Sequence, residues 1–362
     1  MESSRPGALP AREPRRSFVA PTVFGLIVAV IAVWVAVATV TSRDPEETVE
    51  AYLTAITEKD VDGALELVTR IGYGVPYGDT AAFLVPEAIS DDWWVVSVSE
   101  IDREYGTARV EAVIAGPGGT AEGEFVVEEV DDEWLLSDPF ARVTFPASPL
   151  SYVQVNDRIV PRPAAEYGYT TYALFPGTYR FYQSVPDVVD ARKTEVVVAF
   201  PDEDADEPAV VPRALTPGKN TLTRLGKAVE QRIDECAGFA TPAPYGGCPF
   251  ATDGEIDTPD GKRVTELHGL TWKVASYPVA TLIDNRSERS SAFALRTDEP
   301  GTVTLTGSGF DTDDKPTTFT VTCDIDLSGL TATVGAHGEV TLAGSPATTS
   351  DNGSFNTCRR NA

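Results

Sequence analysis

A stretch of 26 residues from Ser17 to Ser42 carries no charged side chain. Residues 18–40 read FVAPTVFGLIVAVIAVWVAVATV, which is 23 residues. As an α-helix they would extend about 34 Å, enough to cross a hydrocarbon core of roughly 30 Å. An apolar helix satisfies its own backbone hydrogen bonds in lipid. The sequence therefore predicts one transmembrane helix at 18–40.

The flanks of this segment predict its orientation. Residues 1–17 form a basic tail that contains four arginines. By the positive-inside rule, such a tail stays in the cytoplasm. Acidic residues follow Arg43, as expected on the opposite side. We expect a single-pass protein of the cell membrane with a cytoplasmic N-terminus and extracytoplasmic domains.

A cleaved signal peptide is the alternative interpretation of the same segment. Ala36, Val37 and Ala38 provide a small-x-small cleavage site, which would leave Thr39 as the mature N-terminus. The apolar run is longer than the 7–15 residues of a secretory signal, however. This length favours an uncleaved anchor.

The charge balance excludes one class of partner. The chain has 29 basic and 55 acidic residues, a net charge of -26. A surface of this kind repels phosphate backbones, so we expect no nucleic-acid binding. Cationic partners would be attracted to it, although high charge also serves solubility alone.

Four cysteines, all in the last third of the chain, predict two disulfides. An even number in an extracytoplasmic domain is typical of a disulfide framework. Of the three possible pairings we favour Cys236–Cys248 and Cys323–Cys358, because each joins near neighbours. In the chain-entropy model these loops contribute about 3 and 4 kcal/mol. A zinc site is disfavoured, because there is no C-x-x-C and the chain has only two histidines.

Residues 44–145 are predicted to form one unit of two helices and four strands. The first helix begins at Pro45, and its apolar residues recur at helical spacing. A second helix runs from Val61 to about Gly72. Four strands follow at 94–99, 108–115, 123–130 and 133–136, separated by turn residues.

The helix pair DPEETVEAYLTAITEKDVDGALELV and the late strands ending EVDDEWLLSDPF resemble the NTF2-like superfamily. The resemblance is to its membrane-anchored, lipoprotein-like branch of bacterial ectodomains, and it covers residues 44–145. It implies a curved sheet wrapped on a helix, which encloses a pocket. Some members of the superfamily are isomerases or dehydratases.

The rest of the chain is predicted to form two further units. Residues 150–212 indicate a small β-rich module, with a tight turn at Phe175-Pro176-Gly177. Residues 215–362 indicate a helix at 219–236, then seven strands, and contain both disulfides. A membrane helix, small β modules and an NTF2-like domain together resemble the teicoplanin-resistance-associated membrane protein family. The predicted fold class is thus α+β: one transmembrane helix, an NTF2-like α+β cone, a small β module and a disulfide-containing α+β domain.

The candidate pocket would lie inside the 44–145 cone. Its predicted lining residues are Tyr52, Tyr73, Trp94, Trp134 and Asp138. Enzymes of the superfamily that resemble ketosteroid isomerases need a carboxylate base in an apolar cavity. Aromatic residues in this number are more often core packing, and the segment contains no histidine.

No other motif indicates a reaction. His268 and His337 lack an upstream G-x-S-x-G nucleophile elbow. Asp311, Asp313 and Asp314 lack the spacing of a calcium-binding EF-hand. We therefore predict no catalytic residues, no metal site and no cofactor.

These patterns favour a non-enzymatic, membrane-anchored extracytoplasmic protein. It would bind a cell-envelope ligand or another membrane protein. The alternatives are a small-molecule-binding protein or enzyme that uses the 44–145 pocket, and a structural stalk that holds the distal domain away from the bilayer.

Overall fold

The computed structural model describes residues 43–70, 75–163, 168–191, 197–201, 214–243, 247–284, 292–344 and 357–358. Strands make up 48% of these residues and helices 17%. Within them, no helix has both the length and the apolar character needed to cross a bilayer. The predicted tail at 1–17 and the predicted transmembrane helix at 18–40 lie outside the described residues.

The first part of the chain forms two helices and a four-stranded antiparallel meander. Helix α1 spans Pro45–Thr57 and helix α2 spans Val61–Glu66. Short 3-10 turns at Gly78–Ala81 and Pro86–Ala88 lead into the sheet. Its strands, in spatial as well as chain order, are β1 Trp94–Glu104, β2 Thr107–Gly116, β3 Gly119–Val130 and β4 Glu133–Ser137.

Local chemistry explains the limits of α1. Pro45 occupies the first turn, where no N–H donor is needed. Glu47 Oε2 accepts a hydrogen bond of 3.4 Å from the Asp44 backbone N–H. After the helix, Lys59 adopts a positive φ of 60°, which turns the chain into α2. The apolar side of α1 is fully buried against the inner face of the sheet.

The middle of the chain contains eight short strands that pair two by two. Strand β5 pairs with β8, β6 with β7, β9 with β11, and β10 with β12, all antiparallel. Their bounds are β5 Ala141–Pro146, β6 Tyr152–Val155, β7 Arg158–Pro161, β8 Tyr169–Leu174, β9 Gly177–Tyr179, β10 Val189–Asp190, β11 Val197–Ala199 and β12 Thr216–Pro217.

The distal part has one helix and two four-stranded sheets. Helix α3, Lys219–Ala237, packs against β14, β15 and β20. The sheet orders are β13-β14-β17-β18 and β15-β16-β19-β20. Their bounds are β13 Ile256–Asp257, β14 Arg263–Ser276, β15 Val279–Ile283, β16 Phe293–Glu299, β17 Gly301–Phe310, β18 Pro316–Ile325, β19 Leu330–Val334 and β20 Val340–Gly344.

The predicted fold class, α+β with a transmembrane helix, is wrong for the part of the chain that the structure describes. This part is mostly β, with three α-helices. The helices expected to begin at Pro45, Val61 and Lys219 are present, although the second ends at Glu66 and not near Gly72. Strands dominate because they extend past their apolar segments. Strand β1 continues through the charged residues Asp102, Arg103 and Glu104, since each of them pairs with β2. The sequence pattern did not predict the distal strands Ile256–Asp257 (β13) and Leu330–Val334 (β19).

Two hydrophobic cores organise the molecule. The smaller core lies between α1 and the meander, and includes Tyr52, Phe125 and Phe175. The larger core runs from Phe83 through the short middle strands to Cys358. The residues predicted as a small module at 150–212 and those predicted as a distal domain at 215–362 both contribute to it. The domain boundaries themselves stay predictions.

The favoured disulfide pairing is confirmed. Cys236 is bonded to Cys248 and Cys323 to Cys358, with separations of 12 and 35 residues. All four cysteines are at most 7% exposed. The second disulfide holds residues 357–358 against β18, where Asp324 N donates to Thr357 O at 3.1 Å.

Removal of a disulfide should lower stability. The double variant Cys323→Ala/Cys358→Ala releases the 35-residue connection, so we expect the free energy of unfolding to fall by about 2–5 kcal/mol. Urea unfolding followed by tryptophan fluorescence measures the change. Unchanged unfolding midpoints would show that the loop is held by other contacts.

Candidate functional site

The space between α1 and the meander is filled by aromatic side chains. Tyr52 is completely buried, and its ring centroid lies 6.0 Å from that of Phe125 and 6.3 Å from that of Phe175. Phe140 packs on the other side of Phe175 at 5.9 Å. Such edge and tilted contacts are the preferred arrangements of buried rings. This region therefore has the composition and packing of a protein core.

Tyr52 is the first of the predicted pocket residues. Its hydroxyl group donates a hydrogen bond of 3.2 Å to the Pro139 carbonyl oxygen. Burial raises its pKa well above the ordinary value, and the nearby Tyr179 and Asp138 raise it further. The phenol thus stays protonated and acts as a structural donor that joins α1 to the end of β4.

Asp138 lies close to Tyr52, beyond the end of β4. It adopts a positive φ of 45°. Its Oδ2 accepts a hydrogen bond of 2.8 Å from Arg142 Nη2, and its Oδ1 has no hydrogen-bond partner among the described residues. The side chain is 29% exposed. The carboxylate is thus an ion-paired group at the rim of the core.

The structure separates the remaining predicted residues. Trp134 is half-buried, and the guanidinium carbon of Arg103 lies 5.3 Å from its ring centroid. Trp94 is 58% exposed on the outside of the sheet. Tyr73 lies outside the described residues. Tyr52 and Asp138 are thus brought together and Trp94 is not, while the pocket itself stays a prediction.

His268 and the turn that contains Asp311 make local hydrogen bonds. His268 is exposed, and its Nδ1 lies 2.9 Å from the Glu266 carbonyl oxygen. Asp311 Oδ1 accepts backbone hydrogen bonds from Asp313 and Lys315, which lower the pKa of Asp311. No group of three or more potential metal ligands occurs in the described ranges. The aspartates act as a polar turn between β17 and β18.

Strand β1 forms one edge of the sheet in the first part of the chain. Strand β1 has 11 residues and lies at the end of its sheet, hydrogen-bonded to β2 alone. The opposite edge is covered, because Thr69 N donates to Leu136 O at 2.9 Å and Leu136 N donates to Leu67 O at 2.8 Å. Among the described residues, no strand covers β1. Within that part of the chain, its outward backbone groups have no strand partner, which is the arrangement that permits strand addition.

Exposed apolar side chains follow this edge. Besides Trp94, Val96 is 55% exposed and Ile101 is 45% exposed. Neither Val96 nor Ile101 has a partner residue in β2, because each is the extra residue of a β-bulge. Bulges and charges commonly protect an edge from pairing, and here both bulge residues carry exposed apolar side chains. We define Trp94, Val96 and Ile101 as the edge cluster.

The outer face beside the edge cluster is acidic. Glu111 of β2 lies directly opposite Glu124 of β3, an unfavourable pair of like charges. The hydrogen bond with Glu122, together with repulsion from it and Glu124, raises the pKa of Glu111. Arg109 is the basic residue of this face, and it is paired with both Asp102 and Glu124. This face is therefore complementary to a positively charged partner.

Only Trp94 of the edge cluster was singled out from the sequence, and as a pocket residue. The helical and strand periodicities indicate which residues belong to a strand, but not which strand lies at an edge. One signal was present in the run Trp93-Trp94-Val95-Val96, which is apolar on both faces of a strand.

No family model, no curated protein and no solved structure matches the chain. The resemblances to the NTF2-like superfamily and to the teicoplanin-resistance-associated family thus stay predictions. The proposed function therefore rests on the physical properties of the surface.

Alkaline pH should destabilise the protein. Burial raises the pKa of both Tyr152 and Tyr182 to about 12, against about 10 in the unfolded chain. Between these values the unfolded state binds fewer protons, so stability falls as pH rises through this window. Urea midpoints measured from pH 8 to 11.5 should be constant up to about 9.5 and then decline. The variant Tyr152→Phe should decline less steeply, and an equal slope would contradict this origin.

Proposed function

We propose that the chain is a non-enzymatic, membrane-anchored extracytoplasmic protein that binds an extended segment of a partner protein of the cell envelope. The partner segment adds as a strand to the free edge of β1. The observation that carries the proposal is the edge cluster on an open 11-residue strand. Strand addition supplies backbone hydrogen bonds for affinity and alternate side-chain contacts for specificity.

The edge cluster supplies the anchors for such a contact. Interfaces obtain most of their binding free energy from a few aromatic and aliphatic residues that become fully desolvated. Trp94 lies at one end of β1 and Ile101 near the other, with Val96 between them. A strand docked along the edge would cover all three.

Charge selects the partner. The outer face next to the edge carries Glu111, Glu122 and Glu124. A basic segment would relieve their mutual repulsion, and complementary charge accelerates association. An anionic polymer would be repelled. The partner is therefore a protein segment with lysine or arginine residues beside apolar ones.

Two features support the proposed location. Disulfides persist in oxidising compartments outside the cytoplasm, and this chain has two. Arg103 Nη1 lies 3.6 Å from Asp44 Oδ1, immediately after the proposed anchor at 18–40. With the proposed anchor in place, the Arg103 end of β1 would lie on the bilayer side of this domain. The strand itself is about 35 Å long.

The anchor hypothesis predicts the mature N-terminus. The protein isolated from membranes should retain residues 1–17, and intact-mass measurement should give the full chain. The hydrophobic length of 18–40 is the physical reason, because it exceeds that of a secretory signal. A mature protein that begins at Thr39 would contradict the anchor.

Photo-cross-linking in intact cells tests the binding surface. A photoreactive residue at position 96 should give one adduct with a second protein, and the same residue at the exposed Ser328 should not. The additional substitution Ile101→Lys should reduce the adduct at least fivefold, because a lysine on the edge opposes strand addition. The matched change Ser328→Lys should leave it unchanged.

Two outcomes would overturn the proposal. Absence of an adduct at position 96, or equal adducts at 96 and 328, would show that the edge is not a binding surface. An adduct of twice the mass of the chain would assign the edge to self-association in place of a separate partner.

A further inference from the structure

Arg162, which follows β7, places a positive charge among neutral groups. Its Nη1 donates hydrogen bonds to the carbonyl oxygens of Phe145 at 3.3 Å and Pro146 at 2.6 Å. Its Nη2 donates to Ser148 Oγ at 3.1 Å and to the Tyr182 hydroxyl oxygen at 2.6 Å. Among the described residues, no carboxylate forms a salt bridge with Arg162. The hydrogen bonds of this guanidinium group therefore do not neutralise its charge.

Three polar atoms in this region are closed to solvent and have no hydrogen-bond partner among the described residues. They are Arg162 Nε, Tyr172 Oη and Thr170 Oγ1. Tyr172 as a whole is only 1% exposed. Buried polar atoms in folded proteins are nearly always hydrogen-bonded, because burial removes their interaction with water. A partner for these three atoms is therefore expected.

The fold brings the three groups to one side of the β5–β8 pair. Thr170 lies opposite Phe145, and Tyr172 follows two residues later on the same face. The rings of Tyr172 and Tyr182 both pack on Phe145, with centroids 5.5 and 6.1 Å from it, and the Tyr182 hydroxyl group contacts Arg162. We define Arg162 Nε and the hydroxyl groups of Thr170 and Tyr172 as the donor cluster.

Electrostatics also place the Tyr172 phenol near the guanidinium group. Burial raises the pKa of Tyr172, and the positive charge of Arg162 opposes this rise. Asp79, on the turn at Gly78–Ala81, raises the same pKa to a smaller extent, and its side chain is exposed. The phenol therefore stays protonated at neutral pH and can donate a hydrogen bond.

The donor cluster selects an anion by its chemistry. The Nε–H of a guanidinium group can only donate a hydrogen bond, and both hydroxyl groups can donate as well. A partner common to all three is therefore an acceptor, and the positive charge favours a negative one. Because the three atoms are closed to solvent, the partner is small. One guanidinium group balances one negative charge.

The acidity of the protein does not exclude such a partner. The chain has a net charge of -26, but exposed carboxylates are screened beyond about 8 Å at physiological ionic strength. Charges in the interior are screened much less. The local charge of Arg162 therefore dominates at the donor cluster.

We propose that the donor cluster binds one monovalent anion of the size of chloride. The anion accepts hydrogen bonds from all three groups and neutralises Arg162, and so stabilises the junction between β5, β8 and the segment after β7. A larger carboxylate or a phosphate ester would need an opening to solvent for its substituent. A water molecule would leave the charge of Arg162 uncompensated.

This proposal is independent of the edge cluster. The donor cluster lies on the β5–β8 pair, whereas the proposed protein-binding edge is β1 of the meander. Anion binding requires neither a protein partner nor the membrane anchor, so the outcome of either experiment leaves the other proposal unaffected.

The chloride dependence of stability tests the site in the unmodified chain. A ligand that binds only the folded state raises the unfolding midpoint as its concentration rises. Urea midpoints of the full chain in a nonionic detergent are measured while sodium chloride replaces sodium gluconate at constant ionic strength. We expect the midpoint to rise with chloride, because gluconate is too large for a closed site. A midpoint that does not rise would overturn the proposal and indicate water at the donor cluster.

Matched substitutions locate the site. Tyr172→Phe and Thr170→Val each remove a hydroxyl group that has no partner among the described residues. In gluconate these variants should be at least as stable as the unmodified chain, because they break no internal hydrogen bond. In chloride they should be less stable than the unmodified chain, since the dissociation constant for chloride should rise about tenfold.

Thr178→Val is the control. Thr178 Oγ1 is also buried without a partner among the described residues, but its side chain lies against Gly116 of the meander. This variant should keep the full chloride dependence. An equal loss in the control, or an unchanged chloride dependence in both Tyr172→Phe and Thr170→Val, would contradict the site. The titration of the unmodified chain decides even if a variant fails to fold.

Discussion

Two backbone hydrogen bonds hold the middle of the chain against the distal sheets. Val334 N donates to the Pro149 oxygen at 2.8 Å, and Ser151 N donates to the Val334 oxygen at 3.0 Å. Between them, Leu150 is 1% exposed. Because this bridge adds the middle segment to the end of β19, short strands that would be marginal alone share one large core with the sheets.

The two outer surfaces of the molecule follow from that arrangement. The meander buries its inner face on α1, so its outer face and the edge of β1 remain exposed. The sheet of β14, β17 and β18 buries its own inner face in the larger core, and threonines such as Thr306, Thr320 and Thr322 are exposed on its other face. Between α1 and the meander the described interior is packed with aromatic residues such as Tyr52, Phe125 and Phe175. One outer face is acidic with apolar residues along its edge, and the other carries exposed threonines.

Much of the local structure was predictable. Helices α1 and α3 begin where Pro45 and Lys219 were expected, because apolar spacing and capping chemistry act over a few residues. Six of the eight distal strands were predicted, because each has buried apolar residues between turn signals. The other two were not: β13 has only two residues, and β19 lies in the short run LTATV. The candidate site was not predictable to the same degree. Tyr52 lies in the core, while Trp94 belongs to the outer edge.

The sequence by itself determined where the three described helices begin, most of the strands, the acidity of the chain and the favoured disulfide pairs, since these depend on composition and on near neighbours. Only the tertiary structure decided that the described part is mostly β, that β1 is an edge, and that threonines of β14, β17 and β18 form one face. Strand order and register join residues far apart in the chain, such as Thr271 and Thr306. Their pairing depends on how whole sheets bury their apolar faces, which no local pattern encodes.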